Sequence, residues 1–182
     1  MNMPMQARND AEVEAMLMPF IKNAVDYAVQ KIWNENRELV RKLVYDAYQP
    51  EEYERTGEFQ EAWDTDIKSK RNVIEGQFNY DPRLLTVDGE RHGSIIDGQP
   101  MTTYLAEIIY EGMSGAIYQK GYAKDVPRFK GEAWAKKRNV WKALLKWLGK
   151  RKLAQLFEEG MRLQGLEFKR HNIGIIRTDY YG

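Results

Sequence analysis

The sequence contains no cysteine and only two histidines, and both shortages exclude classes of chemistry. Without cysteine there are no disulfides, no thiolate nucleophile and no zinc site built on sulfur. The two histidines, His92 and His171, lie so far apart in the chain that a site of several imidazoles requires chains to associate. We therefore expect no metal ion, no cofactor and no catalytic residue.

Long apolar runs and phosphate-binding glycine motifs are also absent. No stretch approaches the roughly 20 apolar residues of a membrane-spanning helix, and the polar start lacks a secretory pattern. We expect a protein made and used in the cytosol, or carried from there into a particle. Neither G-x-x-x-x-G-K-[ST] nor G-x-G-x-x-G occurs, and Ser114 lacks the G-x-S-x-G spacing of a nucleophile elbow. These absences predict a protein that is not an enzyme.

Charge is nearly balanced over the 182 residues, with a formal net charge of +1, but it is unevenly distributed. Residues 1–70 hold 14 acidic and 9 basic side chains, whereas residues 120–152 hold 12 basic and 2 acidic ones. Surfaces of opposite charge attract between copies of a protein. A clustered basic surface also suits the phosphates of a nucleic acid, so both interpretations stay open.

Helical spacing of apolar residues predicts a long first helix over residues 20–47. Asn9 or Asp10 is expected to cap a preceding segment, and Pro19 is expected to break or restart the helix. The polar stretch at residues 34–36 predicts a local loosening. The helix is expected to end where the sequence turns aromatic.

Alternation of apolar and polar residues predicts a half-buried strand over residues 72–80, paired with a strand over residues 63–68. A short helix is expected over residues 102–111. A second long helix is expected over residues 133–163, where Gly149 is a point of interruption because glycine destabilises helix interiors.

These elements predict an α+β fold, with the long N-terminal helix and the second long helix packed on a small antiparallel sheet. We expect one α+β domain over residues 1–171, in which residues 1–18 form a flexible N-terminal arm. Residues 172–182 are expected to form a C-terminal tail.

Three lysines, Lys142, Lys146 and Lys150, recur every fourth residue and define a basic stripe on the predicted second helix. Clustered charge binds phosphates without base-specific geometry and also binds acidic protein surfaces. It is equally the pattern of a solvated helix face. A nucleic-acid-binding module that uses residues 133–152 is therefore an alternative to a protein of assembly.

The segment between the first helix and the first strand is the most specific string in the sequence. Its tyrosines can clamp the helix end to the sheet, and its arginine has five N–H donors with which to stabilise a turn. No nucleophile or base accompanies them, so we predict a role in the fold or in an interface. This aromatic turn consists of Tyr45, Tyr48, Pro50, Tyr53, Arg55, Thr56 and Gly57.

A helix that runs into Tyr-x-Pro-x-x-Tyr-x-Arg-Thr-Gly resembles the small neck and tail-completion proteins of tailed bacteriophages, of the head–tail connector and tail-terminator type. The resemblance covers roughly residues 20–170. It implies an α+β virion protein without catalysis, assembled in the host cytoplasm into an oligomeric ring that joins head to tail or completes the tail. The implied partners are further copies of the chain and other phage neck or tail proteins, with passing DNA as a non-specific contact and no membrane. The basic helix and residues 172–182 depart from the family pattern.

Overall fold

The computed structural model of this protein describes residues 9–47, 57–71, 73–85, 95–96, 99–111 and 137–166. The described helices are α1 (Asp10–Val40), α2 (Leu105–Glu111), α3 (Val140–Leu148) and α4 (Lys152–Arg162). The described strands are β1 (Trp63–Lys70), β2 (Val73–Tyr80), β3 (Ile95–Ile96) and β4 (Gln99–Pro100). Shorter helical turns occupy Arg41–Tyr45, Glu58–Gln60, Pro82–Leu84 and Met101–Tyr104. The α+β fold class predicted from the sequence is confirmed.

Both sheets in the described segments have two strands. The β1–β2 hairpin was predicted, although β1 continues past the predicted end at residue 68 to Lys70, so the turn begins at Arg71. β3 pairs with β4 in antiparallel register, with Ile95 opposite Pro100. The alternation of residue types in the hairpin is a local signal, and for that reason the sequence locates these two strands well.

The first helix begins at the predicted cap and is continuous. The Asn9 side-chain oxygen accepts a hydrogen bond from the Glu12 N–H at 2.9 Å, as in other helix caps. The expected break at Pro19 is wrong, because α1 continues through it to Val40. Pro19 is exposed, so the carbonyl that loses its intrahelical partner can face water, and packing of the following turns maintains the helix.

A wide turn follows α1 and replaces the loosening predicted at residues 34–36, which are helical. The Asp46 N–H donates to the Arg41 carbonyl at 2.8 Å, a five-residue step typical of a π-helical turn. The Arg41 guanidinium also pairs with the carboxylates of Glu38 and Asp46, at 2.9 and 3.0 Å. Its hydrogen bond and its charge lower the pKa of Glu38 below the ordinary value.

Asn36 lies within α1 and is 0% exposed, and neither atom of its side-chain amide is hydrogen-bonded to another group of the described residues. Burying an amide without a partner costs free energy, by about 1–3 kcal/mol for each unsatisfied group. We predict that Asn36→Ala raises the free energy of unfolding by about 1–3 kcal/mol, measured by urea denaturation. Asn34→Ala is the matched control: Asn34 is exposed on the same helix, so only the better helix propensity of alanine remains, about 0.5 kcal/mol. Equal gains at the two positions would contradict the prediction.

The chain divides into two compact units. The first unit takes its described residues from Met1–Lys31, Asp66–Gln77 and Leu148–Gly182. The second unit takes its described residues from Ile32–Thr65 and Phe78–Trp147. Both α1 and the β1–β2 hairpin contribute residues to each unit. The single domain over residues 1–171 stays a prediction, and the tail over residues 172–182 lies outside the described residues.

In the first unit, α1 packs closely on α4. A Cβ atom placed on Gly160 would lie 2.8 Å from the Cα of Ala24, so the helix backbones approach more closely than a side chain allows. The side-chain amide of Gln164 donates to the carbonyls of Phe20 and Gly160, at 2.9 and 3.0 Å. Asn23 donates to the Gln164 side-chain oxygen at 3.0 Å. One glutamine therefore connects the end of α4 to α1.

The hairpin packs against another face of α1 in the same unit. A Cβ atom on Gly76 would lie 2.5 Å from Val29 and 2.9 Å from Val25. β-branched valines have one preferred side-chain rotamer in a helix, so they have little freedom to move aside. The absence of a side chain at Gly76 thus allows β2 to lie close to α1.

The predicted second long helix is two helices. α3 begins at Val140, where the Asn139 side-chain oxygen accepts from the Lys142 N–H at 2.9 Å and caps the helix. It ends at Leu148, and the following Gly149 has a φ of +49°, a conformation that glycine adopts without strain. The expectation of one helix over residues 133–163 is wrong in extent, whereas the interruption at Gly149 is confirmed.

Four aliphatic side chains of the second unit, on α1, α2 and α3, are almost fully buried. They are Val40, Ile108, Val140 and Leu144. The Arg138 N–H donates to the Ile109 carbonyl at 3.0 Å and joins the residues before α3 to α2. Burial of these aliphatic side chains stabilises the unit through the hydrophobic effect.

Candidate functional site

The aromatic turn predicted as a fold or interface motif is described only at its two ends. Tyr45 is half-buried in the π-helical turn. Gly57 has a φ of +81°, the left-handed region that costs residues with a Cβ about 1–2 kcal/mol. Glycine at this position is therefore the residue that this backbone conformation favours. The other motif residues, Tyr48, Pro50, Tyr53, Arg55 and Thr56, lie outside the described residues.

Residues outside the predicted motifs connect α1 to the segment after the aromatic turn. The Trp33 indole N–H donates to the Trp63 carbonyl at 3.2 Å. The Arg37 guanidinium forms an ion pair with Glu61 and lies 4.6 Å from the centre of the Trp33 ring. This cation–π contact adds to the ion pair. Trp33 and Arg37 are four residues apart on a helix, a spacing from which the pair was predictable.

Trp63, whose carbonyl accepts the Trp33 hydrogen bond, is also the centre of an aromatic cluster. The Trp63 ring stacks on Phe78 at 5.0 Å between ring centres and on Tyr110 at 6.0 Å. Phe59 meets Trp63 edge-on at 6.1 Å and contacts Tyr80 at 5.9 Å. Pairs of this kind contribute about 0.5–1.5 kcal/mol each beyond the area that they bury. Phe59, Trp63 and Tyr110 of this cluster are buried, whereas Phe78 and Tyr80 are half-buried.

Tyr80 has an anchored hydroxyl. Its O–H donates to the Thr102 carbonyl at 2.7 Å. Burial, and secondarily the charge of Asp81, raises the pKa of Tyr80 well above its ordinary value. The phenol therefore stays protonated in the neutral range, and its role in this geometry is to hold β2 to the residues before α2.

The basic stripe is shorter than predicted. Lys142 and Lys146 are exposed on α3, one helical turn apart, with Leu145 beside them. Lys150 does not continue the stripe, because α3 ends at Leu148 and the backbone changes direction at Gly149. The structure thus brings two of the three predicted lysines onto one helix face.

Several carboxylates of the described segments form ion pairs with neighbouring cations. Asp81 pairs with Arg83 at 2.6 Å, and this partner lowers the pKa of Asp81 below its ordinary value. Lys68 lies 3.6 Å from Asp66. No group of three or more His, Asp or Glu side chains that could hold a metal ion occurs within residues 9–47, 57–71, 73–85, 95–96, 99–111 and 137–166. The side chains considered for catalysis, His92, His171 and Ser114, lie outside those ranges.

None of the helices in the described segments is both long enough and apolar enough to cross a membrane.

Comparison with known proteins assigns this chain to a family. No curated protein and no solved structure matches the chain. A family model described as YomN matches residues 9–163, which include α1 to α4 and both described sheets. The family is of phage-region type, so the match indicates a phage-derived protein. Since the match covers well over half of the chain, this protein belongs to the YomN family.

Proposed function

We propose that this protein is a structural subunit of a tailed-phage particle, without catalysis, that forms an oligomeric ring at the neck or at the tail end. The match of residues 9–163 to a family of phage-region type carries the proposal. The resemblance of the aromatic turn to neck and tail-completion proteins supplies the finer role. Copies of the chain and other neck or tail proteins are the partners in this proposal.

The chemistry of the described side chains supports a role in assembly. The buried and half-buried aromatic rings contact one another, and the hydroxyl of the half-buried Tyr80 donates a hydrogen bond to a backbone carbonyl. Groups of that kind stabilise a fold and provide neither a nucleophile nor a base. In this proposal the protein binds its partners through the charged side chains at its surface.

A nucleic-acid-binding module is favoured less by the structure. The interruption after Leu148 leaves Lys142 and Lys146 as the lysines of one helix face. Non-specific binding to DNA requires several phosphate contacts, because each neutralised phosphate contributes only a small, salt-dependent part of the affinity. A pair of lysines beside an exposed leucine suits a protein surface better.

A phage that encodes this protein provides the test. We expect that deletion of the gene yields filled heads and tails that are not joined, or tails without a proper end, seen by negative-stain electron microscopy. A plasmid copy of the gene should restore complete particles, and the purified particles should contain the protein in a fixed ratio to the other structural proteins. Complete infectious particles that lack the protein would overturn the proposal.

A further inference from the structure

The exposed face of α3 combines positive charge with an apolar side chain. Lys142, Leu145 and Lys146 have the spacing of neighbours on one helix face. Leu145 is 38% exposed, and neither ammonium group forms an ion pair with a carboxylate of the described segments. We call these three residues the α3 stripe. It is a surface whose charge and apolar area have no partner in the described fold.

The N-terminal turns of α1 carry the complementary pattern. Asp10, Val13, Glu14 and Leu17 also have the spacing of one helix face. Val13 is 43% and Leu17 37% exposed. Neither Asp10 nor Glu14 forms an ion pair with a basic side chain in the parts of the chain that the structure describes. We call these four residues the α1 stripe.

We propose that the α1 stripe of one copy of this chain docks on the α3 stripe of the next copy. Each stripe has two like charges one helical turn apart, so two carboxylates can face two ammonium groups at the same separation. The exposed aliphatic side chains beside them lose water on contact. The inference rests on the proposed function and names the surfaces through which the ring would form.

The geometry of such a contact suits a ring. The two stripes are different surfaces, so the contact is heterologous, and an open row of copies has one free stripe of each kind, at its two ends, until the ring closes. The α1 stripe spans about two helical turns and the α3 stripe about one. Stripes of this length bury less than the roughly 800 Å² per partner of a standard interface. A single contact is therefore weak, and closure of the ring strengthens it because the last contact is intramolecular.

A second copy fits the α3 stripe better than DNA does. Leu145 lies beside both lysines, and a phosphate backbone provides no apolar partner for it. The α1 stripe is acidic and repels phosphates, yet it matches the α3 stripe in charge and in apolar content. Nucleic-acid binding is thus an outcome that the test must distinguish.

Charge reversal with rescue tests the inference in the full-length protein. One variant carries Asp10→Lys and Glu14→Lys, and the other carries Lys142→Glu and Lys146→Glu. Each variant alone opposes like charges, so we expect its self-association to weaken about tenfold or more relative to the unaltered protein. An equimolar mixture pairs the altered stripe of each variant with a complementary one and should recover association. Sedimentation velocity over a range of protein and salt concentrations measures both effects.

Controls separate the charge effect from misfolding. Carboxylates in the first turns favour a helix by about 0.3–1 kcal/mol each, so the lysine changes at Asp10 and Glu14 weaken α1 slightly. The neutral variant Asp10→Asn/Glu14→Gln changes the same two residues and should destabilise α1 less than the lysine variant does. Thermal unfolding measures the stability of every variant. Lys22→Glu/Lys70→Glu is a matched reversal at exposed positions outside both stripes and should leave association unchanged.

The outcomes decide between the partners. Loss of association in each variant and recovery in the mixture support the inference. It is overturned if the unaltered protein stays monomeric, if folded variants associate normally, or if the mixture fails to recover. Binding of a DNA duplex that is lost in Lys142→Glu/Lys146→Glu while self-association persists also overturns it. In that case particles that lack the gene can still be defective, so the proposed function would stand without this inference.

Discussion

Trp63→Ala is expected to lower the free energy of unfolding by about 3–5 kcal/mol, the largest effect of any single change considered for this protein. Trp63 is buried and contacts four aromatic rings within 6.1 Å between ring centres. Truncation removes the stacked contacts and leaves a cavity that stiff neighbouring rings fill poorly. Urea denaturation followed by far-UV circular dichroism measures the loss.

Trp63→Phe is the informative companion variant. Within the part of the chain that the structure describes, the buried Trp63 indole N–H has no hydrogen-bond partner, so phenylalanine removes no hydrogen bond there and retains an aromatic ring. We expect a loss of less than half that of alanine. Leu84→Ala, at a side chain that is 46% exposed, should cost little. A Trp63→Ala protein as stable as Leu84→Ala would contradict the packing described for the aromatic cluster.

The second large effect is expected at Gly160. Gly160→Ala should lower the free energy of unfolding by about 2–3 kcal/mol, in the upper range for overpacked sites. The added Cβ would lie 2.8 Å from the Cα and 3.1 Å from the carbonyl oxygen of Ala24. These are backbone atoms, which cannot rotate away, so α1 and α4 must separate. Separation also weakens the hydrogen bonds that Gln164 makes to the Phe20 carbonyl and to Asn23.

The sign of the Gly160 effect makes the test sharp. At an exposed helical position alanine is more favourable than glycine by about 1 kcal/mol. Gln155, exposed on the same helix, provides this reference through the pair Gln155→Ala and Gln155→Gly. We expect alanine to be the more stable residue at position 155 and the less stable one at position 160. The same sign at both positions would show that Ala24 does not limit the space at Gly160.

Features that depend on neighbours in the chain were predictable from the sequence. The cap at Asn9, the strands β1 and β2, the short helix α2 and the interruption at Gly149 were all expected. Their signals are local: a capping side chain, an alternation with period two, or a glycine in a helix. Chemistry that requires cysteine was excluded on composition alone.

Features that depend on burial were misjudged or not foreseen. Pro19 looked like a helix break, but an exposed proline within a helix packed further along its length is tolerated. The stripe of three lysines required an uninterrupted helix, and the backbone at Gly149 ended it after two. The polar stretch at residues 34–36 suggested a loosened helix, whereas the side chain of Asn36 within it is fully buried.

The sequence by itself determined the fold class, the order of most elements and the absence of thiol chemistry in this protein. Only the tertiary structure decided which glycines provide space, which rings form one cluster and which charges have no partner. Gly160 and Ala24 are more than 130 residues apart in the chain, and so are Lys142 and Asp10. Contacts and complementary surfaces at such separations arise from how helices pack, which depends on atomic distances that no local pattern encodes.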